Sequence, residues 1–137
     1  MTRRTQLIRD TRGAGIIEFA LILPALMLFV YGIYLVGQLF QANAGMQHAL
    51  GEGARYATLC LNPNTAAGCT VPSDDQIRDH ISSKVFGTGN GTFTVNAPTS
   101  GIGFKELSVT YEMPMDFLLF TAPNVSVTRT KKVYTAG

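Results

Sequence analysis

The sequence predicts an α+β fold in which a long N-terminal helix, half membrane-spanning and half amphipathic, packs on a small, mainly antiparallel three-stranded sheet with one short helix. Residues 19–37 contain no charged side chain, and apolar residues then recur every three or four positions to residue 57. Residues 92–134 contain three stretches in which apolar and polar residues alternate. The 137 residues leave room for one globular domain.

The first thirteen residues, 1–13, form a basic leader. Its four arginines are opposed by one acidic residue, Asp10. The positive-inside rule therefore predicts a cytoplasmic N-terminus and an exported remainder. Beyond the leader, seven basic residues face eight acidic residues, so no basic patch supports phosphate binding and nucleic acid is not an expected partner.

Residues 14–37 are predicted to form the transmembrane half of the long helix. The uncharged stretch is about as long as a helix needs to cross a hydrocarbon layer of ~30 Å at ~1.5 Å per residue. Pro24 lies inside it and removes one backbone hydrogen bond, so a kink near residues 20–21 is expected. An ordinary tolerated membrane proline is the alternative interpretation.

Residues 38–58 are predicted to continue the same helix as an amphipathic extension. The spacing of the apolar residues places them on one face, which is expected to contact a small globular head. These residues are Leu39, Ala42, Met46, Ala49, Leu50, Ala54 and Ala57.

Residues 59–137 are predicted to form this head, which contains both cysteines. Cys60 and Cys69 are separated by eight residues that include Pro and Gly, so a disulfide is expected in an oxidising compartment, with two free thiols as the alternative. The spacing does not suit a zinc site, and neither histidine is near in sequence. We expect no metal and no cofactor.

A second helix is predicted to start at Ser73. Ser73 and Gln76 form a capping-box pattern, and the acidic residues that follow Ser73 favour a helix N-terminus. Ile77, Ile81 and Val85 share one face, and Gly87 is expected to end the helix.

Three strands are predicted at residues 92–96, 104–112 and 125–134. Leu107, Val109 and Tyr111 alternate on one face, as do Val125, Val127 and Val133. The segment between the last two strands, MPMDFLLFTAP at residues 113–123, is predicted to be an apolar loop that fills the core beneath the sheet. A docking surface for a partner subunit is the alternative.

The most specific signal is a carboxylate, Glu18, at the edge of the apolar run. Glu18 would be costly deep in a membrane, although a headgroup position or a helix N-terminus would also accommodate it. Gly13, Ala14, Glu18 and Phe19 after a basic leader resemble a type IV prepilin processing site. The resemblance implies that prepilin peptidase cleaves between Gly13 and Ala14, and that Glu18 and Phe19 serve assembly, with Glu18 meeting a new amino group at Ala14 of a neighbouring subunit.

Two segments, RGAGIIEFALILPALML at residues 12–28 and AGMQHALGEGARYATL at residues 44–59, resemble TadE-like minor pilins of the tight-adherence pilus system. The resemblance implies a pilin-like fold and a structural role in assembly, initiation or the tip of the pilus. It implies three kinds of partner: prepilin peptidase, other major and minor pilin subunits, and the inner-membrane assembly platform. The implied location is the bacterial inner membrane with a periplasmic head and, after assembly, the extracellular pilus. TadF and TadG types are neighbouring alternatives.

Other export and functional interpretations have weaker support. Ala42, Asn43 and Ala44 form a signal-peptidase pattern, and Arg3 and Arg4 could begin a twin-arginine signal, but the apolar run is longer than a usual signal core. The chain lacks the common catalytic motifs, so we expect no enzyme. The competing function is an unprocessed single-pass anchor or secretion accessory protein with a periplasmic interaction head.

Overall fold

The computed structural model describes residues 13–61, 69–87, 89–117 and 120–134. Two helices are followed by four strands, which confirms the α+β fold class. The elements are α1 (Ala14–Ala57), α2 (Asp74–Lys84), β1 (Thr92–Val95), β2 (Thr99–Gly101), β3 (Phe104–Phe117) and β4 (Phe120–Tyr134). The chain forms two compact units, which divide between residues 36 and 37 of α1.

In the first unit, α1 presents its apolar side chains outward. From Ile16 to Val36, nearly every large apolar residue is exposed, and Leu35 alone among the described residues of this unit is buried. The helix is long and apolar enough to cross a membrane. Its hydrophobic surface is therefore suited to contact with an apolar surrounding that the described residues do not supply.

In the second unit, the head, the remaining part of α1 buries one face. Ala42, Met46, Ala49, Leu50 and Ala57 are at most 2% exposed. Their spacing of three, four and seven residues follows the helical repeat, so the prediction of an amphipathic extension is confirmed. Leu39 and Ala54, which the same pattern includes, are half-buried.

Two glycines on this part of α1 permit close contact with the α2 region. A Cβ atom at Gly45 would collide with the backbone carbonyl of Phe86, and one at Gly53 would collide with the Ile81 side chain. Glycine lowers helix stability by roughly 1 kcal/mol relative to alanine. At these two positions that loss accompanies close packing between α1 and the α2 region.

The start of α2 agrees with its predicted capping box. The backbone amide of Gln76 donates to Ser73 Oγ over 3.3 Å, and the backbone amide of Ser73 donates to Gln76 Oε1 over 3.0 Å. The predicted end at Gly87 is wrong, because the helix ends at Lys84 and Val85 already has an extended backbone. Gly87 serves another purpose: a Cβ there would lie 2.8 Å from Cζ of Phe93, so its lack of a side chain makes room for that ring.

The sheet is built around β3. β4 pairs antiparallel along β3 from Phe104↔Tyr134 to Phe117↔Phe120, whereas β1 and β2 pair antiparallel with shorter parts of β3. Since β4 occupies one edge of β3, β1 and β2 share the other edge. The short β2 was not predicted, because its three exposed residues have no apolar alternation.

The face of β3 that points to the core carries the predicted alternation. Leu107, Val109, Tyr111 and Met113 are at most 1% exposed, and Val133 on β4 is also buried. Val125 and Val127 pair with Met113 and Tyr111 and are half-buried. The predicted strand faces are therefore confirmed.

The predicted loop at residues 113–123 is wrong, because β3 continues to Phe117 and β4 begins at Phe120. A register irregularity between Met113 and Met115 accommodates Pro114, which cannot donate a ladder hydrogen bond. Proline and consecutive apolar residues hide the strand alternation, but the backbone still pairs. The side chains of residues 116–122, which the core-filling prediction concerns, lie outside the described part of the chain.

Candidate processing and assembly segment

The predicted cleavage bond lies where α1 begins. Gly13 is a turn residue, Ala14 is the first helical residue, and the Ile17 amide donates to the Gly13 carbonyl over 3.3 Å. The Gly13–Ala14 bond therefore lies at the first residue of α1. A Cβ atom at Gly15 would meet no neighbouring atom within 4 Å, so the start of α1 is open.

Glu18 lies one helical turn beyond Ala14 and is exposed. Positions four apart on a helix lie on the same face, so the Glu18 carboxylate and the backbone nitrogen of Ala14 belong to one stripe of the surface. The first turn of α1 contains no acidic residue. Glu18 therefore lies just beyond the positions where a carboxylate most favourably meets the helix dipole.

Glu18 is electrostatically isolated. It is the single Asp, Glu, Lys or Arg from residue 13 to residue 51. It forms none of the salt bridges found among the described residues. In an apolar medium an uncompensated carboxylate is costly, so a membrane-embedded Glu18 needs a positive partner from outside the described residues of its own chain.

Phe19 and Pro24 lie on the same helix, and Phe19 is exposed together with the surrounding apolar residues. The kink at Pro24 stays a prediction. The exposed apolar surface around Glu18 favours contact with lipid or with another helix rather than with water.

The two cysteines are bonded, as the sequence predicted. The Cα atoms of Cys60 and Cys69 are 5.2 Å apart, and residues 62–68 between them lie outside the described residues. The Leu61 amide donates to the Thr70 carbonyl over 2.9 Å beside the bond. The disulfide closes a short loop of the head and has no part in the Gly13–Phe19 segment.

Several polar residues of the head have structural partners. The pair of His48 and Glu52 does not form a ligand set, because Glu52 contacts Arg55 at 3.8 Å and the His48 ring lies edge-on against Phe86. Within the described ranges, no group of three His, Cys, Asp or Glu side chains is placed to hold a metal ion.

The acidic residues at the start of α2 are likewise engaged. The Lys105 ammonium donates to Asp74 over 2.6 Å, and Arg78 contacts both Asp75 and Asp79 at 3.5 and 3.6 Å. The Lys105–Asp74 contact links α2 to β3, whereas the two Arg78 contacts lie within α2. They provide no catalytic arrangement.

A contact that the sequence did not reveal connects β4 to α1. Arg129 Nε donates to Asn43 Oδ1 over 2.7 Å, and Arg129 pairs with Val109, whose side chain is on the core face. The alternation of the strand is the signal that could have placed Arg129 on the helix side.

Comparison with known proteins finds a similarity in the N-terminal part of the chain. Residues 13–55 match the family model described as TadE-like protein. The match begins at the predicted processing glycine and covers the apolar and much of the amphipathic part of α1. No curated protein and no solved structure matches the chain significantly.

Proposed function

We propose that this protein, whose residues 13–55 match the family model described as TadE-like protein, is a minor pilin or pseudopilin of the tight-adherence pilus system. Prepilin peptidase cleaves it between Gly13 and Ala14, and the mature subunit acts in assembly, initiation or the tip of the pilus. The role is structural, without chemistry of its own.

The observation that carries this proposal is the isolated carboxylate at the start of an exposed apolar helix. Cleavage at Gly13 would create an ammonium group at Ala14, one turn before Glu18. In a bilayer or a filament core, the Glu18 carboxylate of one subunit and the Ala14 ammonium of its neighbour would neutralise each other. An anchor that only spans the membrane does not require a carboxylate at this position.

The proposed arrangement places the basic leader in the cytoplasm and the head in the periplasm. The positive-inside rule supports this orientation, and a disulfide between Cys60 and Cys69 suits an oxidising compartment. The partners are prepilin peptidase, other major and minor pilin subunits, and the inner-membrane assembly platform. After assembly the subunit would reside in the extracellular pilus.

The first test is the N-terminal mass of the protein from cells that contain prepilin peptidase. We expect a chain that begins at Ala14, and we expect Gly13→Ala to retain Met1. Gly15→Ala is the matched control, because a Cβ atom there meets nothing within 4 Å. An intact N-terminus in the unaltered protein would favour the unprocessed anchor, and a start at Gly45 would indicate an ordinary secreted head.

The second test addresses Glu18. Glu18→Gln should leave membrane insertion intact but lower co-purification with other pilus subunits by at least about 100-fold, because loss of one partner of a buried ion pair costs about 3–5 kcal/mol. Glu52→Gln is the control, since Glu52 is a half-buried head residue that contacts Arg55. Equal recovery of partners by both variants would contradict an assembly role for Glu18.

A further inference from the structure

The head contains a strand edge to which none of the described strands pairs. β4 pairs with β3 along its length and with no other described strand. Its outer edge therefore keeps backbone donors and acceptors that no described strand satisfies. No proline interrupts residues 124–134, so this part of the edge can form a continuous ladder with an added strand.

Two basic side chains lie on the side of β4 that faces α1. Arg129 pairs with Val109, and Lys131 pairs with Leu107, and both of these partners are buried on the core face. Side chains of directly paired residues share one face of a sheet. The row of β4 side chains that faces the helix therefore contains two positive charges.

Both cations are held close to α1. Arg129 Nε donates to Asn43 Oδ1 over 2.7 Å, and Lys131 Nζ lies 3.9 Å from the position that a Cβ atom would take at Gly51. The bond to Asn43 uses one of the five N–H donors of the guanidinium and leaves its charge unneutralised. Within the described part of the chain, neither cation forms a salt bridge. The two side chains are thus oriented but not compensated by a carboxylate of the described residues.

A cleft of about 310 Å³ lies between α1 and β4 beside these cations. It is lined by Gln47, Leu50, Arg129, Thr130 and Lys131, none of which is acidic. Since one water takes up roughly 30 Å³ of the liquid, the cleft has the volume of about ten waters. That volume suits one or two side chains of a ligand rather than a folded domain.

The spacing of the two cations specifies a pattern in the ligand. Arg129 and Lys131 are two residues apart, so their Cα atoms are about 6.6 Å apart at ~3.3 Å per residue. An added strand has the same repeat, and its residues two positions apart also share a face. An extended segment with two carboxylates at that spacing would present one to each cation. The guanidinium of Arg129 suits a carboxylate in particular, because its parallel N–H groups match the two oxygens.

The same charges disfavour pairing of β4 with a second copy of itself. In an antiparallel pair of β4 strands centred on Thr130, Arg129 of one copy lies opposite Lys131 of the other. Like charges directly opposite each other are destabilising, and inward-pointing charges protect strand edges in many proteins. These charges repel a basic strand and attract an acidic one, so they select the partner of the edge.

We propose that the outer edge of β4 binds an extended acidic segment of another protein. The segment adds a fifth strand to the four-stranded sheet and presents two carboxylates to Arg129 and Lys131. Backbone hydrogen bonds supply much of the affinity, and the charges supply the sequence preference. The site lies within the head and does not require cleavage at Gly13, so the proposed processing and this inference can fail separately.

The test uses the full chain in micelles of a neutral detergent, with fluorescently labelled peptides whose binding is followed by anisotropy. The probe peptide is a strand-forming sequence of threonine and valine with two glutamates two positions apart. The first control peptide has the same composition with adjacent glutamates, which places them on opposite faces of a strand. The second control peptide has N-methylated backbone amides, which removes the donors needed to extend the sheet.

Arg129→Gln combined with Lys131→Gln removes the charges of the proposed site. Lys131→Gln alone leaves the Arg129 hydrogen bond intact and replaces the double variant if that variant does not fold. The matched control combines Lys84→Gln with Lys132→Gln, which lowers the net charge equally. Lys84 ends α2, and Lys132 lies over the Phe104 ring on the opposite face of β4 from the cleft. Thermal unfolding verifies that each variant folds.

We expect saturable binding of the probe peptide to the unaltered protein. The variant that lacks both cleft cations should bind it about tenfold more weakly, because each of two exposed ion pairs contributes a few-fold in affinity. The control variant should bind within about twofold of the unaltered protein, since salt screens distant charges. Both control peptides should bind more weakly than the probe, and the probe should slow hydrogen–deuterium exchange of amides at residues 125–133.

Four results would overturn the inference. The first is no saturable binding of the probe, and the second is an equal loss of affinity in the control variant, which would attribute binding to net charge. The third is equally tight binding of the N-methylated peptide, of polyphosphate or of phosphatidylglycerol vesicles, which would exclude strand addition as the mode of binding. The fourth is slower exchange of β4 amides at higher protein concentration without peptide, which would assign the edge to a second copy of the chain.

Discussion

The first half of α1 is the more apolar, yet most of its side chains are exposed, whereas the second half buries one apolar face. Met27 is 63% exposed in the first unit, whereas Met46 is fully buried in the head. Both residues belong to the same continuous helix. The difference shows that helix formation and burial are separate properties. The second half of α1 packs against its own chain, whereas the first half is suited to partners that the described residues do not provide.

The largest expected effect on head stability is the difference between substitutions at Met46 and at Met27. Met46→Ala should lower the free energy of unfolding of the head by about 2–5 kcal/mol, because it leaves a cavity in a packed core. Met27→Ala should leave head stability unchanged within about 0.5 kcal/mol. Thermal or denaturant unfolding in detergent, followed by tyrosine fluorescence, measures both. Similar losses would mean that Met27 also contributes to the head core.

A second, smaller effect compares two glycines of α1. Gly45→Ala should destabilise the head by about 1–3 kcal/mol, since the added methyl group collides with the Phe86 backbone and α2 must shift. Gly32→Ala meets nothing within 4 Å and should not destabilise the helix, because alanine has the higher helix propensity. The same unfolding measurement applies. A neutral Gly45→Ala would show that the contact between α1 and the Phe86 segment is loose.

The smallest effect concerns how helices begin in the two units. Ser73→Ala removes the side-chain oxygen that accepts from Gln76, and should lower head stability by about 1 kcal/mol. Ser73→Asp retains an acceptor and should preserve most of that stability. By comparison, the first turn of α1 contains no acidic residue, whereas that of α2 contains Asp74 and Asp75. Loss of stability in Ser73→Asp equal to that in Ser73→Ala would attribute the effect to something other than the cap.

The local signals of the sequence predicted the capping box, the disulfide and the faces of the main strands. Ser73 and Gln76 are close in sequence, and the cap needs little beyond the helix that they begin. Cys60 and Cys69 are similarly close, so their bond required no knowledge of the wider fold. Leu107, Val109 and Tyr111 were assigned to the core because a strand alternates its faces.

The helix and strand ends were less predictable. Gly87 was expected to end α2, but a glycine also permits close packing, and here it leaves room for Phe93. The segment around Phe117 and Phe120 was expected to be a loop, because its prolines and apolar run do not alternate. Pairing between β3 and β4 makes this segment a strand rather than a loop. Such pairing depends on the partner strand and cannot be inferred from the segment's own residues.

The sequence by itself determined an apolar helix long enough for a membrane, a carboxylate at its edge and an α+β head, because these depend on residue type and short-range spacing. The tertiary structure alone decided that Arg129 meets Asn43, that α2 ends before Gly87 and that β3 and β4 stay paired from Phe104↔Tyr134 to Phe117↔Phe120. Those features depend on contacts between residues as far apart as 43 and 129. Their free energies arise only when the sheet and the helices come together.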